Sequence, residues 1–167
     1  MNLTGRLDSI DFTTLADVKS LMQPTGTQPT GSDSLISDAI TSVSRRFVDY
    51  MSWHALYEER TEVYVFGHHK RILTLDAKPI DTGETVTLKL NSTGKDFASV
   101  TATDTDHYTV HSAAGYIRLL YPTLYKPTYA EVTYTGGFGA DAAGIKSAYP
   151  DLSLACAQQV KYQLDRR

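Results

Sequence analysis

The chain has 167 residues, 41% of them hydrophobic, enough for one proper core, and a single domain over 1–167 is the expectation. Sixteen Lys and Arg against nineteen Asp and Glu leave a net charge of −3, without the basic surplus that marks most nucleic-acid binders. The single cysteine, Cys156, cannot form an internal disulfide, and its apolar neighbours predict a small buried thiol in a reducing compartment.

At the N-terminus, MNLTGRLDSIDF has no apolar run of signal-peptide length. Nowhere do about eighteen apolar residues follow one another, so neither secretion by that route nor a membrane span is expected. Thr14-Leu-Ala-Asp17 offers a capping box for a first helix over about 14–22, with Leu15, Val18, Leu21 and Met22 on one face. The QPTGTQPTGS stretch at 23–32 then forbids helix and reads as a loop.

The next helix, over about 33–51, carries Ile36, Ile40, Val43, Phe47 and Tyr50 at alternating spacings of four and three, a narrow apolar seam. Arg45 and Arg46 lie towards its C-terminal end. Two readings stay open for them: a solvated pair complementing the helix dipole, or a contact with an acidic partner surface.

From Tyr57 the apolar period changes to two, predicting a β-module over about 57–135. Glu62–Phe66 and Arg71–Leu75 read as a hairpin about a Gly67-His-His-Lys70 turn, and Thr85–Leu90 as a further strand. The segment 91–106 reads as a polar loop. His107–Val110 and Tyr116–Leu120 flank a Ser112-Ala-Ala-Gly115 turn as a second hairpin, and Glu131–Tyr134 closes the module. After the glycines of 136–139, a last helix over about 150–165 opens on Pro150, with Leu152, Ala155, Cys156, Gln159, Val160 and Leu164 on one face. The fold class is α+β: N-terminal helices and a C-terminal helix packed with a central antiparallel β-module.

Three patterns invite a catalytic reading, and each has a plainer one. Gly139-Ala-Asp-Ala-Ala-Gly144-Ile-Lys-Ser147 resembles a phosphate-binding loop, but Ile145 is one residue too many and displaces the lysine and hydroxyl from their places. His107 and His111 sit on a strand pattern, where residues four apart are separated by about 13 Å, too far to share a metal without a strong bend. Glu58 and Glu59 are adjacent in a strand and point to opposite faces, poor geometry for joint acid and base work. With no Gly-x-Ser-x-Gly elbow and no Cys-His grouping, neither an enzyme nor a metal or other cofactor is expected. Eleven tyrosines, many of them between 108 and 134, suit both β-modules and protein interfaces.

The order of segments resembles the head–tail connector proteins (head-completion or adaptor proteins) of long-tailed bacteriophages and prophages. The matching pieces are Leu15-Ala-Asp-Val-Lys19, the seam helix from Leu35 to Tyr50, Glu62-Val-Tyr64 with Leu73 and Lys78-Pro79-Ile80, Asp106-His-Tyr108 with Gly115-Tyr-Ile117, Val132-Thr-Tyr-Thr-Gly136, and Pro150-Asp-Leu152 with Ala155, Cys156 and Tyr162. The resemblance implies a virion subunit, made in the host cytoplasm, that forms a ring, commonly twelve-fold, under the portal. Such a ring extends the channel through which DNA passes without sequence-specific binding, helps retain the genome and docks the next neck or tail protein. It implies no catalytic residue, cofactor or membrane. By position, the C-terminal helix with Lys161, Arg166 and Arg167 is the expected portal-facing contact. Another neck or tail-completion protein, or a small ligand-binding or hydrolytic α+β domain, are the alternatives.

Overall fold

The computed structural model describes residues 10–23, 31–52, 54–65, 71–92, 96–120 and 129–166. Among these, four α-helices and two three-stranded antiparallel sheets make an α+β fold, the class that the sequence predicts. The chain divides into two compact units, one formed by Met1–Leu56 with Phe138–Arg167 and the other by Tyr57–Gly137.

The first unit holds the helices. Helix α1 (Leu15–Met22) starts at Thr14, whose hydroxyl oxygen accepts from the Asp17 amide at 3.2 Å. The Asp17 carboxylate accepts from the Thr14 amide in return, so both halves of the capping box form. Helix α2 (Asp33–Met51) buries Ile36, Ala39, Ile40, Val43, Ser44 and Val48. The predicted seam departs from this arc at its end, because Tyr50 is 92% exposed. Spacings that average 3.5 residues drift by about 20° per heptad against a straight helix. Two heptads from Ile36, Tyr50 has therefore swung off the buried arc, which by then centres on Ser44 and Val48.

Helix α3 (Ala142–Ala148) lies where the sequence reads only a glycine-rich turn. Asp141 caps it by accepting from the Gly144 amide at 2.7 Å. Glycine is needed at 139, because a Cβ there would lie 2.9 Å from Ile145. Helix α4 (Pro150–Asp165) has its proline in the first turn, where no amide hydrogen is missed. Its buried face differs from the predicted one: Ala155 and Gln159 are exposed, and Ser153 and Ala157 join Cys156 and Val160 inside. Helix α4 packs on α1, α2 and α3 together, and small side chains permit that close approach. Phe12 links the helices through its ring, 6.0 Å from Phe47 and 6.2 Å from Phe138. Where the chain leaves this unit and returns to it, the Phe138 amide donates to the Ala55 carbonyl at 2.8 Å, and Leu56 bridges Gly139.

The second unit holds both sheets. In one, β6 (Tyr129–Gly136) is central between β1 (Glu58–Val65) and β3 (Thr87–Asn91). In the other, β5 (Tyr116–Leu119) is central between β2 (Ile72–Thr74) and β4 (Tyr108–His111). The β4–β5 hairpin follows the sequence pattern, with Val110 opposite Ile117. The other predicted hairpin does not form: β1 pairs with β6 over its whole length, Glu58 opposite Gly136 to Val65 opposite Tyr129, whereas β2 pairs with β5. Alternation fixes which side of a strand is buried and leaves its neighbour open. Ala130, Val132, Tyr134 and Gly136 bury one whole face of β6, and the eight-residue β1 pairs along the full length of this eight-residue strand, which the three-residue β2 could not do. The predicted turn at 67–70, and most of the loop at 23–32, lie outside the described residues. Segment 91–106 is more than a loop, for it contains a 3-10 turn, Phe97–Ser99, that buries Phe97, and enters a second at Thr105–His107.

Segment 75–81 ties the two sheets of this unit together. The Leu75 amide donates to the Gly115 carbonyl at 2.9 Å, Ile80 to Ser112 at 3.1 Å, and Asp81 to Thr135 at 2.8 Å. The Lys78–Pro79 bond is cis, and the Gly137 amide donates to the Pro79 carbonyl. Gly115 has φ of +65°, and a Cβ there would lie 2.2 Å from Lys78 Cγ. Gly115→Ala is therefore expected to cost about 1–3 kcal/mol, measured by urea unfolding of the intact chain; unchanged stability would contradict this role for Gly115.

Candidate functional site

The residues singled out by sequence divide according to what the fold does with them. Arg45 and Arg46 are exposed on α2 but lie before its last turn, in which no basic residue falls. Dipole effects fade within that last turn, so the dipole explanation for the pair is weakened. Lys161 is partly buried, and its ammonium donates to the Leu21 carbonyl at 3.3 Å, fastening α4 to the C-terminal turn of α1, where carbonyls lack helical partners. Arg166 is exposed, its guanidinium 4.6 Å from the centre of the Tyr162 ring. Arg167 lies outside the described residues. The structure thus places Arg166 and Tyr162 on the outer side of α4, and gives Lys161 an internal partner.

The letters that resemble a phosphate loop have local tasks. Asp141 caps α3, Ile145 is fully buried, and Lys146 donates to the Asp17 carboxylate. Burial works to raise the Asp17 pKa, but the hydrogen bonds from Lys146 and Thr14 prevail and hold it below the ordinary value. Nearby is a hollow of about 300 Å³ lined by Thr13, Asp17, Ser20, Leu21, Lys146, Pro150, Ser153, Leu154 and Ala157. The Lys146 ammonium is already engaged by Asp17, and among the described residues no histidine or cysteine lines the hollow.

Cys156 is fully buried 3.7 Å from the Ser44 hydroxyl, and burial pushes its pKa up to about 11, the reverse of what a nucleophilic thiol needs. His107 ends a 3-10 turn, while His111 stacks on Tyr116 with ring centres 4.3 Å apart. His68 and His69 lie outside the described residues. Among the described residues, no group of three or more His, Cys, Asp or Glu could hold a metal ion. None of their helices is long and apolar enough to cross a membrane. Glu58 pairs with Arg60 at 2.6 Å and Glu59 stays exposed on the opposite side of β1.

The chemistry that sequence reasoning missed is a half-buried carboxylate in the β-unit. Glu62, on the inner side of β1, accepts from the Tyr134 hydroxyl at 2.5 Å, from the Tyr64 hydroxyl, and from the Asp76 amide at 3.3 Å. Tyr134 in turn accepts from the Ala77 amide at 2.9 Å. Burial raises the Glu62 pKa, outweighing the Tyr134 and Asp76 bonds that work against the rise, and burial together with the Glu62 bond raises that of Tyr134. The signal was present in the alternation, which puts Glu62 in phase with Tyr64. The arrangement closes on itself through tyrosines and backbone, which makes it a structural hub.

On the outer side of the helices, Val43, Arg46, Phe47 and Tyr50 of α2 and Gln159 of α4 line an apolar groove of about 440 Å³. The arrangement offers aromatic area and a cation without a nucleophile or base, which suits contact better than catalysis.

A folded-state pKa above the ordinary glutamate value of 4.5 means that Glu62 contributes stability below that pH and loses it as pH rises through the folded value. Glu62→Gln, which never ionises, is expected to gain stability relative to the native chain between pH 4.5 and neutrality. Urea unfolding of both proteins across that range checks the sign, and a gap that narrows with rising pH overturns it.

No family model matches the chain, and no curated protein matches its sequence. Solved structures do. A chain of the neck of an empty gene transfer agent (GTA) particle, computed with C6 symmetry, is 17% identical, with a TM-score of 0.58 over 92% of this chain and 78% of that one. A chain of the virion of a native gene transfer agent particle is 18% identical, with a TM-score of 0.61 over 96% and 83%. At these identities the likeness is one of fold.

Proposed function

We propose that the chain is a structural subunit of a phage-like particle: a head–tail connector, or adaptor, that forms a closed ring in the neck. The observation that carries this reading is the length of the fold match. More than nine-tenths of the chain, both units included, superposes on a chain of a gene transfer agent neck, a far more demanding likeness than a shared sheet or helix pair. The six-fold symmetry of that neck supports a ring here, and twelve copies are compatible with it. The role is architectural and non-enzymatic: the ring sits under the portal in the virion, extends the DNA channel, helps retain packaged DNA and docks the next neck or tail protein. A net charge of −3 suits a passage that DNA must traverse without being gripped.

The outer side of α4 is the portal-facing contact in this proposal. Arg166 supplies the exposed cation, steadied by Tyr162, and Arg167 follows it at the chain end. Lys161 acts by holding α4 on α1 at the angle that presents them.

Electron microscopy of purified particles is expected to show a ring of this chain directly beneath the portal; particles that lack the chain overturn the proposal. Deleting Arg166 and Arg167 is expected to lower the yield of joined head–tail particles at least about tenfold, corresponding to about 1.4 kcal/mol of contact energy. Joining at the native level removes α4 from the portal contact.

A further inference from the structure

Two surfaces of this chain match each other in charge and in apolar character, and each leaves large apolar side chains exposed: Tyr50 on one, Val63 and Val65 on the other. One is the groove of about 440 Å³ on the helices, walled by Val43, Phe47 and Tyr50, with Arg46 on its margin. Tyr50 is 92% exposed there, and Arg46 has no ion pair among the described residues. The other is the outer side of β1, where Glu59, Thr61, Val63 and Val65 point the same way. Val63 is 55% exposed and Val65 is 66% exposed, while Glu59 has no ion pair among the described residues, unlike Glu58, which is held by Arg60.

A valine pair with 55% and 66% exposure on an edge strand is costly unless something covers it. An exposed tyrosine beside an arginine, rimming an apolar groove, has the composition of an interaction hot spot. The two surfaces are different, the first cationic and aromatic, the second acidic and aliphatic. A contact between them is therefore heterologous, the kind that repeats from copy to copy and closes into a ring.

We infer that the groove on α2 and α4 receives the outer side of β1 from a second copy of this chain, with Val63 and Val65 against Phe47 and Tyr50 and Glu59 against Arg46. The inference rests on the reading that the chain forms a ring, and it names the surfaces that meet. Thr61 fills the span between acid and valines. Charge fixes the direction of the contact: the acidic strand of one copy seats on the basic helix of the next, while like surfaces repel.

The test is a charge reversal on each side, read by analytical ultracentrifugation of the full chain. Arg46→Glu alone and Glu59→Arg alone are each expected to weaken self-association at least about tenfold, because each sets like charges face to face. Both positions are exposed, so circular dichroism and thermal midpoints stay native. Mixing the two single variants is expected to restore assembly, because each can seat on the other in alternation around an even-numbered ring. The double variant is expected to assemble alone, and Tyr50→Ala to weaken assembly without changing its direction. Native self-association by either single variant, or failure of both the mixture and the double variant to recover, overturns the contact. A native chain that stays monomeric up to about millimolar concentration, the limit of a contact worth about 4 kcal/mol, overturns it as well. Self-association through these residues in a chain absent from particles would remove the neck reading and leave this contact standing; a neck ring that tolerates the reversals would do the opposite.

Discussion

The pairing of β1 with β6 is the constraint on which the rest of the molecule depends. These strands lie at opposite ends of the segment 57–137 and align residue for residue, from Glu58 against Gly136 to Val65 against Tyr129. Because the first and last strands of the β-unit are neighbours, the chain enters and leaves that unit at adjacent points. The helical unit, assembled from the segments on either side, can then close on itself through the Ala55–Phe138 hydrogen bond and the Leu56–Gly139 bridge. Without β1, β6 would be paired along one edge only, by the shorter β3. The cost of joining residues so far apart is a large loss of chain entropy, met only when the whole ladder forms.

Beneath the ladder sits the Glu62 hub, which shows how a polar group can organise a core. Its carboxylate receives two tyrosine hydroxyls and a backbone amide, so Tyr134 can lie fully buried across β6 with its polar end satisfied. The same tyrosine holds the Ala77 amide, and through it the segment that stitches the two sheets. An apolar residue at 62 would leave both hydroxyls searching for acceptors in a region with few to offer.

What could be read from sequence was what neighbours along the chain decide. The capping box at Thr14 and Asp17, the α2 arc as far as Val43, the proline start of α4 and the β4–β5 hairpin all depend on residues within a few positions of one another. What escaped depends on distant partners: β1 choosing β6, Ser153 and Ala157 turning inward because three helices converge on α4, and Tyr50 leaving the arc. Helix α3 was hidden by its glycine and alanines, which carry little amphipathic signal, although Asp141 stood in the capping position. Of the candidate cations, Arg45 and Arg46 lie on exposed helix surface and Arg166 just past the end of α4, but nothing in the sequence hinted that Lys161 would bind the end of α1.

Cys156 gives the helical unit an internal gauge. The only thiol in the chain is fully buried, and with its pKa pushed up to about 11 it is almost wholly protonated at neutral pH. Alkylating reagents need both access and thiolate, so labelling must wait for an opening that exposes the space around Ser44 and Phe12. Its rate therefore counts openings of the helices alone, while the β-unit, which has no cysteine, stays silent.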